Sequence, residues 1–491
     1  MKLITYPPLA LLLAGLLAGC SDDNNVDATN NNTSLSSFNL ADISAGTTDV
    51  KQMTLTWTPA SNNSGVTYTV CEKDTTQTNN CKVLTSVIDA LTATITVDSL
   101  VKALSTDYFI LATSGNATKA SNEKTLTADT VTRMIGYFKA SNAGADDKFG
   151  DSLALSADGS ILAIGASGED NGAKGVITDG SETTDTGSEY ASGAVYLFNN
   201  NSGSWAQSAY VKASNTEEFD NFGYRIALSA DGTNMAVSAP YEDNGATGVI
   251  TNGSEATDSD TKRDPGAVYL FSKASGSWAQ SAYVKASNAG ANDNFGNSLA
   301  LTADGSTLAV GAKYEDNGTK GVITDGSETT DSGTKADSGS VYLFSNASGN
   351  WAQSAYIKAS NTERGGIFGY DVALSADGST LTVAAANESN GAKGVFTDGS
   401  ETIGSSTESI SGAVYLFSNT SGSWIQNAYV KASNTGASDC FGWRVALSAD
   451  GSTLATSAIS EDNGAKGIIS DGSETTSDTG SADRSGAVYI Y

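Results

Sequence analysis

The chain has 491 residues, with 52 glycines, 5 prolines and a formal net charge of −28. So acidic a surface repels nucleic acid and anionic lipid, which excludes binding to either through a basic face. Histidine is absent, which removes the commonest general base and the usual zinc and copper ligand. The length exceeds one ordinary core, so two or more domains are expected. Glycine, serine, threonine, asparagine and aspartate fill the gaps between short apolar runs, and no long amphipathic helical pattern is present. That is the pattern of an all-β, turn-rich protein.

The chain opens MKLITYPPLALLLAGLLAGC. Lys2 is a minimal basic region, and Leu9 to Leu17 is an apolar run too short to span a bilayer. The ending Leu17-Ala18-Gly19-Cys20 resembles the lipobox of bacterial lipoproteins. The resemblance implies a signal peptide over 1–19 and acylation of Cys20. It also implies a cell-envelope location, with Ser21 favouring the outer membrane of a Gram-negative bacterium. Periplasmic and surface-facing orientations both stand. An ordinary secretory signal with a chance cysteine is the alternative. Residues 20–37 have almost nothing to bury and read as a lipidated flexible tether. The seventeen residues after the cysteine, 21–37, reach about 20–25 Å, enough to lift a domain off the lipid.

Between residues 38 and 127 seven β-patterned runs follow at short intervals: FNLADI, VKQMTLTWTP, VTYTVCE, CKVLTSV, LTATITV, DYFILATSG and ASNEKTLT. Such spacing predicts a sandwich. LTWTP with Trp57 and TDYFILATSG with Tyr108 resemble fibronectin type III domains. The resemblance makes Trp57 the core tryptophan of the second strand and Tyr108 the tyrosine corner. The family's leucine six residues before that tyrosine is Lys102 here, so Leu100 or Leu104 must serve. Cys71 and Cys81, on adjacent predicted strands of an exported chain, are expected to form a disulfide. Two buried thiols are the alternative. Cys440 has no evident partner and no base to activate it.

Over 133–491 the sequence repeats with a step of 73 residues. Phe-Gly recurs at Phe149, Phe222, Phe295, Phe368 and Phe441, and an Asp-Gly turn at Asp158, Asp231, Asp304, Asp377 and Asp450. A Gly-x-Trp recurs at Trp205, Trp278, Trp351 and Trp424. Each copy holds four strand candidates. In the third copy SLALTA and TLAVGA are joined by Asp-Gly, a short-hairpin signal. SVYLF is apolar on both faces, and WAQSAYIKAS, with its lysine, reads as an edge strand. Four antiparallel strands per repeat describe a propeller blade. GYFKASN, at 136–142, is in register with the later AYVKASN, and the last copy stops at GAVYIY. Strand 135–141 is therefore expected to pair with 486–491 and close a five-bladed ring.

The order Phe-Gly, LALSADG, GAVYLF, GSW.QSAYVKASN resembles the bacterial FG-GAP repeat, a relative of the integrin α-subunit propeller. The resemblance covers all five copies and implies a β-propeller used for adhesion or ligand binding. Two departures stand out. The family's Gly-Ala-Pro is degraded to Gly311-Ala312-Lys313 and Ala384-Ala385-Ala386, while Ser238-Ala239-Pro240 keeps the proline. The Asp/Asn-rich calcium loop of integrin-type repeats is replaced by Ser-Ala-Asp-Gly.

One carboxylate in a tight hairpin cannot satisfy calcium, which takes six or more oxygens, so Asp304 and its copies read as turn residues. The Phe-Gly and tryptophan positions read as core. The stronger candidates lie in the long insertion between the second and third strands. It carries Glu169, Asp170, Asn171, Asp179 and Glu182 in the first copy, and Glu242, Asp243, Asn244, Asn252 and Glu255 in the second. The third has Glu315, Asp316, Asn317, Asp325 and Glu328, and the fourth Glu388, Asn390, Asp398 and Glu401. Glu461, Asp462, Asn463, Asp471 and Glu474 complete the series. Hard oxygen ligands separated by glycines suit calcium. A solvated acidic turn is the other reading. No copy departs from the rest so as to build a unique catalytic site.

The expected function is a lipid-anchored envelope protein, not an enzyme. It presents a five-bladed FG-GAP propeller to an extracellular protein or glycan, with calcium as the one candidate cofactor. A structural envelope component and a polysaccharide-active enzyme using paired carboxylates are the alternatives.

Overall fold

The computed structural model describes residues 35–491, except 62–63, 183–187, 202, 252, 254, 256–261, 329–332, 348, 398, 400–407 and 471–482. The chain is all-β and divides into two compact units, the second opening at Gly136.

In the first unit, strands Leu40–Ala45, Gln52–Trp57 and Thr92–Thr96 form one antiparallel sheet. Cys81–Ile88, Thr67–Lys73, Asp107–Ser114 and Ala117–Ala120 form the other, in that order. Alternation along Gln52–Trp57 sends Met53, Leu55 and Trp57 inward, as the period of a half-buried strand requires. Trp57 lies 5.7 Å from Tyr68, ring centre to ring centre, and Tyr108 is buried in the same core. Burial pushes the Tyr108 hydroxyl up to about 12. Leu100 packs on this core, whereas Leu104 is exposed. Cys71 and Cys81 are joined in a disulfide. The short helix Ala128–Thr132, capped by the Thr127 side chain, carries Val131 into the core with Met134 just behind it. The unit therefore continues past Thr127.

In the second unit each repeat folds as one antiparallel sheet. In the third repeat the strands are Phe295–Leu301, Thr307–Ala312, Ser340–Ala347 and Asn350–Lys358, laid side by side in that order. The insertion adds a fifth, Gly321–Ile323, which crosses over to pair with Asn350–Lys358 on the outer edge. The first, second and fourth repeats follow the same plan, and the last repeat has three strands among the described residues. The fourth strand is therefore not an edge, and its lysine does not mark one: Lys358 is fully buried.

Neighbouring sheets interlock in the same way each time. Val341 and Leu343 of one third strand pack with Val372 and Leu374 of the next first strand. At this crossing the backbone of Gly339 bridges that of Phe368. Gly339 has φ +76°, and a Cβ there would sit 2.1 Å from the Phe368 carbonyl oxygen. Only glycine allows that approach. At the opposite end, hairpin tips bond one to the next: Ala157 donates to Ala230, Ala230 to Ala303, Ala303 to Ala376 and Ala376 to Ala449.

The expected ring closure is not formed. Residues 135–140 adopt no strand, and Ala487–Ile490 pairs only with Leu454–Ala458. The N-terminal segment lies instead against the first sheet, where Phe138 meets Phe198 at 5.2 Å and Trp205 at 5.6 Å.

The Asp-Gly turns are held by their own carboxylates. Asp158 accepts from the Ser156 hydroxyl at 2.7 Å and the Ser160 amide at 2.9 Å. These bonds and their counterparts hold Asp158, Asp377 and Asp450 down to about 2. A carboxylate depressed in the folded state contributes stability above its unfolded pKa, and loses it as pH falls through the folded one. Urea titrations should therefore show stability falling between about pH 4 and about pH 2. A triple variant with Asn at Asp158, Asp377 and Asp450 should fall less steeply over that window.

Candidate functional site

The first glutamate of each insertion, Glu169, Glu242, Glu315, Glu388 or Glu461, is buried and bonded by protein donors. Glu315 accepts from Tyr356 and Asn288, both at 2.9 Å, on Oε1, and from Lys358 Nζ at 2.7 Å on Oε2. Lys358 also donates to Ser338 Oγ at 2.7 Å, and Tyr342 donates to Asn288 Oδ1 at 2.6 Å. Glu169 repeats this with Asn142, Tyr210 and Lys212, and Glu242 with Asn215, Tyr283 and Lys285. Glu388 repeats it with Asn361, Tyr429 and Lys431. Burial pulls Lys212, Lys358 and Lys431 below the usual lysine range, and each partner glutamate draws its lysine back up. For Glu242, Glu315 and Glu388 the asparagine comes from the preceding repeat, so the cluster joins two repeats as well as pairing one lysine; for Glu169 it is Asn142, in the segment before the first sheet.

The other insertion residues are spent locally. Asp316 accepts from the Asp337 amide at 2.8 Å, Asn317 from Thr319 at 2.9 Å and Asp325 from Ser327 at 3.0 Å. Glu328 accepts from Ser287 at 2.5 Å and Gln353 at 2.6 Å. Asp170, Asn171, Asp179 and Glu182 make the equivalent bonds in the first repeat. So do Asp243, Asn244 and Glu255 in the second, and Asn390 in the fourth. In the last, Glu461 accepts from Asn434 at 2.6 Å, while Asp462 and Asn463 accept backbone amides. Cys20, Asn252, Asp398, Glu401, Asp471 and Glu474 lie outside the described residues. Among the described residues no three acidic side chains converge as a metal group. The described donors do not gather the six or more convergent oxygens that calcium takes.

A unique constellation lies elsewhere, where the first strands begin and the second strands end. The pair after each Phe-Gly differs between copies: Asp151-Ser152, Tyr224-Arg225, Asn297-Ser298, Tyr370-Asp371 and Trp443-Arg444. The first strands lie side by side, which gathers these pairs at one end of the unit. Tyr370 and Trp443 are 4.9 Å apart, and Arg444 stands 5.9 Å over each ring. Lys313 sits 4.8 Å over Tyr314 and 5.9 Å from Tyr370, and Arg225 lies 4.6 Å over Tyr224. Burial and the nearby Arg225 charge hold Lys313 below its usual range. Burial also raises Asp371, although Arg444 and Arg225 oppose it and the Val445 amide bonds it at 3.0 Å. The rings are partly buried, and Arg444 is open to solvent. Three cations with aromatic faces are thus held together on a chain of net charge −28. The copies therefore differ from one another at these positions. The signal was present in the sequence: Lys313 stands where the repeat's proline should be. Cys440 is not part of this set, and burial pushes its thiol up, away from nucleophile chemistry.

The family model described as FG-GAP repeat matches residues 205–271 and 278–344. Those repeats and the recurring antiparallel sheets fit a β-propeller. No curated protein matches the chain. Among solved structures, the chain is similar to Kuenenia stuttgartiensis hydrazine synthase at 11% identity, over 72% of this chain and 70% of that one, with a TM-score of 0.34. It is similar to the periplasmic gluconolactonase of Pseudomonas aeruginosa at 13% identity, over 71% of each chain, with a TM-score of 0.34. At such identities the function of this chain rests on its own residues.

Replacing Glu315 by Ala would leave Lys358 charged and buried without its partner. Equilibrium denaturation should show a loss of about 3–5 kcal/mol. Replacing both residues by Met should recover most of it, because no uncompensated charge then remains.

Proposed function

We propose that the chain is a lipid-anchored envelope protein whose propeller binds an acidic saccharide, without turning it over, at the aromatic and cationic cluster. One observation carries the reading: Arg225, Lys313 and Arg444 are gathered over Tyr224, Tyr314, Tyr370 and Trp443 in a protein otherwise strongly acidic. Guanidinium groups recognise carboxylates bidentately, and aromatic faces pack on sugar rings. The acidic surround rejects anions that do not present both a carboxylate and a ring face.

In this reading Cys20 carries the lipid, residues 20–37 are the tether, and the first unit, which runs on past Thr127, forms a fibronectin type III-like spacer. The two-sheet arrangement of the first unit, with Trp57 at its core, supports that spacer. The five-bladed count follows from the five 73-residue copies. Calcium has no part in it, since the described insertion carboxylates already have protein donors. Melting curves in calcium and in chelator should coincide, and a calcium-dependent rise would restore the insertions as ligands.

Isothermal titration with polygalacturonate should show binding that weakens with salt, and a neutral glucan should show none. Arg444→Ala and Tyr370→Ala should each weaken polygalacturonate binding by about tenfold or more, as loss of a charged hydrogen bond or a stacked ring does. Equal binding of both polymers would overturn the acidic-saccharide reading. Cleavage of either polymer by the purified chain would overturn the non-enzymatic one.

A further inference from the structure

The buried clusters hold more than an ion pair needs. In the third repeat the Glu315 carboxylate is shared. Lys358 Nζ donates to its Oε2 at 2.7 Å, and the Asn288 amide nitrogen donates to its Oε1 at 2.9 Å. The carbonyl oxygen of that same amide accepts the Tyr342 hydroxyl at 2.6 Å. An amine, a carboxylate and a polarised carboxamide therefore meet at one place, all of them buried. The set recurs atom for atom. Asn142 stands with Glu169, Lys212 and Tyr196, and Asn215 with Glu242, Lys285 and Tyr269. Asn361 stands with Glu388, Lys431 and Tyr415. Neutralising a lysine requires neither the asparagine nor the hydroxyl on its carbonyl.

We infer that the chain cross-links itself: in each cluster the lysine amine displaces ammonia from the asparagine side chain, leaving an isopeptide bond between the two residues. Glu315 takes a proton from Lys358 Nζ, and the freed lone pair attacks Asn288 Cγ. The negative charge that develops on Oδ1 falls where the Tyr342 hydroxyl already points. Glu315 then passes its proton to Nδ2 and takes a second from Nζ. The Nζ–Cγ bond forms, the Cγ–Nδ2 bond breaks and ammonia leaves. The ion pair becomes a neutral amide beside a neutral carboxylic acid, so no charge is stranded in the interior. Nothing is oxidised or reduced, and no co-reactant is required.

The surroundings favour each step. Burial holds Lys212, Lys358 and Lys431 below the usual lysine range, which favours the uncharged nucleophile. It pushes Tyr196, Tyr269, Tyr342 and Tyr415 up, so each remains a donor. Fixed partners make the attack intramolecular, and the exclusion of water keeps hydrolysis from competing. Lys212 lies three residues before Asn215, and Lys285 and Lys358 stand likewise before Asn288 and Asn361. The four bonds therefore run on from repeat to repeat between Asn142 and Lys431. Each closes a long loop and restricts the unfolded chain as a disulfide does, without an oxidising compartment. The loss of stability on replacing Glu315 by Ala belongs to the unreacted pair.

Mass spectrometry of the denatured full chain carrying Cys20→Ser, which takes no acyl group, tests the inference. After incubation of the folded protein, the chain should be lighter than the sum of its residues by one ammonia for each of the four clusters. Proteolytic fragments that carry Lys358 and Asn288 should stay joined after disulfide reduction. Glu315→Gln and Lys358→Met should each forfeit that one link and keep the other three, which also shows that these variants are folded. Tyr342→Phe should slow the same link at least tenfold, as removal of an oxyanion donor does. A chain that keeps its full mass after prolonged incubation would overturn the inference. So would an ammonia loss at Asn288 that survives Lys358→Met, because the asparagine would then have reacted without the lysine.

Discussion

The second unit depends on a buried carboxylate–ammonium pair made four times. A lysine on the fourth strand and a glutamate on the insertion, 43 residues apart, meet with essentially no exposure. Burying either charge alone is costly, so the insertion must come back over the outer end of its own sheet. That return lays down the short fifth strand and places Glu, Asp and Asn where they cap turns. The asparagine from the preceding repeat completes the shell, so the internal neutrality of one sheet also sets the position of its neighbour. The long acidic insertion, which looks like a solvated loop, supplies at its start the buried carboxylate of that pair.

This division of labour separates scaffold from site. The positions that recur at every step of 73 belong to packing: Phe-Gly, the Asp-Gly turn, the tryptophan, the tyrosines and the Glu–Lys pair. The positions that vary lie at one end of the first and second strands, and there the cations and rings collect. A repeat architecture relaxes selection for sameness only where side chains leave the shared interfaces. Variation within the chain is therefore the better guide to ligand chemistry than any conspicuous motif.

Much of the architecture was legible in the sequence. Alternation located both strands of each inner hairpin, Asp-Gly located its turn, and the period located every copy. The interior role of Glu315 was not legible from its own neighbourhood, because EDNG resembles a metal or turn motif and its partner lies far along the chain. The clue was that Lys358 and its copies recur as faithfully as the glutamates do; two opposite charges kept at fixed separation belong to one pair. Lys358 was misread as an edge marker because the fifth strand is only three residues long and carries no alternation. The aromatic and cationic cluster was visible as broken Gly-Ala-Pro and uneven Phe-Gly-x-x, but its assembly depends on four different repeats converging, which no local pattern encodes. Ring closure was inferred from register, and register fixes which segment fits a sheet, not the angle between successive sheets.

The chain of tip-to-tip bonds from Ala157 to Ala449 has a consequence for how such a protein changes over generations. Each of these bonds joins an alanine to the alanine in the same place in the next repeat, so at the tip end the four joints are chemically alike. Loss or duplication of one whole repeat by misaligned recombination would leave no mismatched joint at that end. Copy number is thus a heritable dial that can be turned in single clicks, independently of the point changes that tune the ligand end.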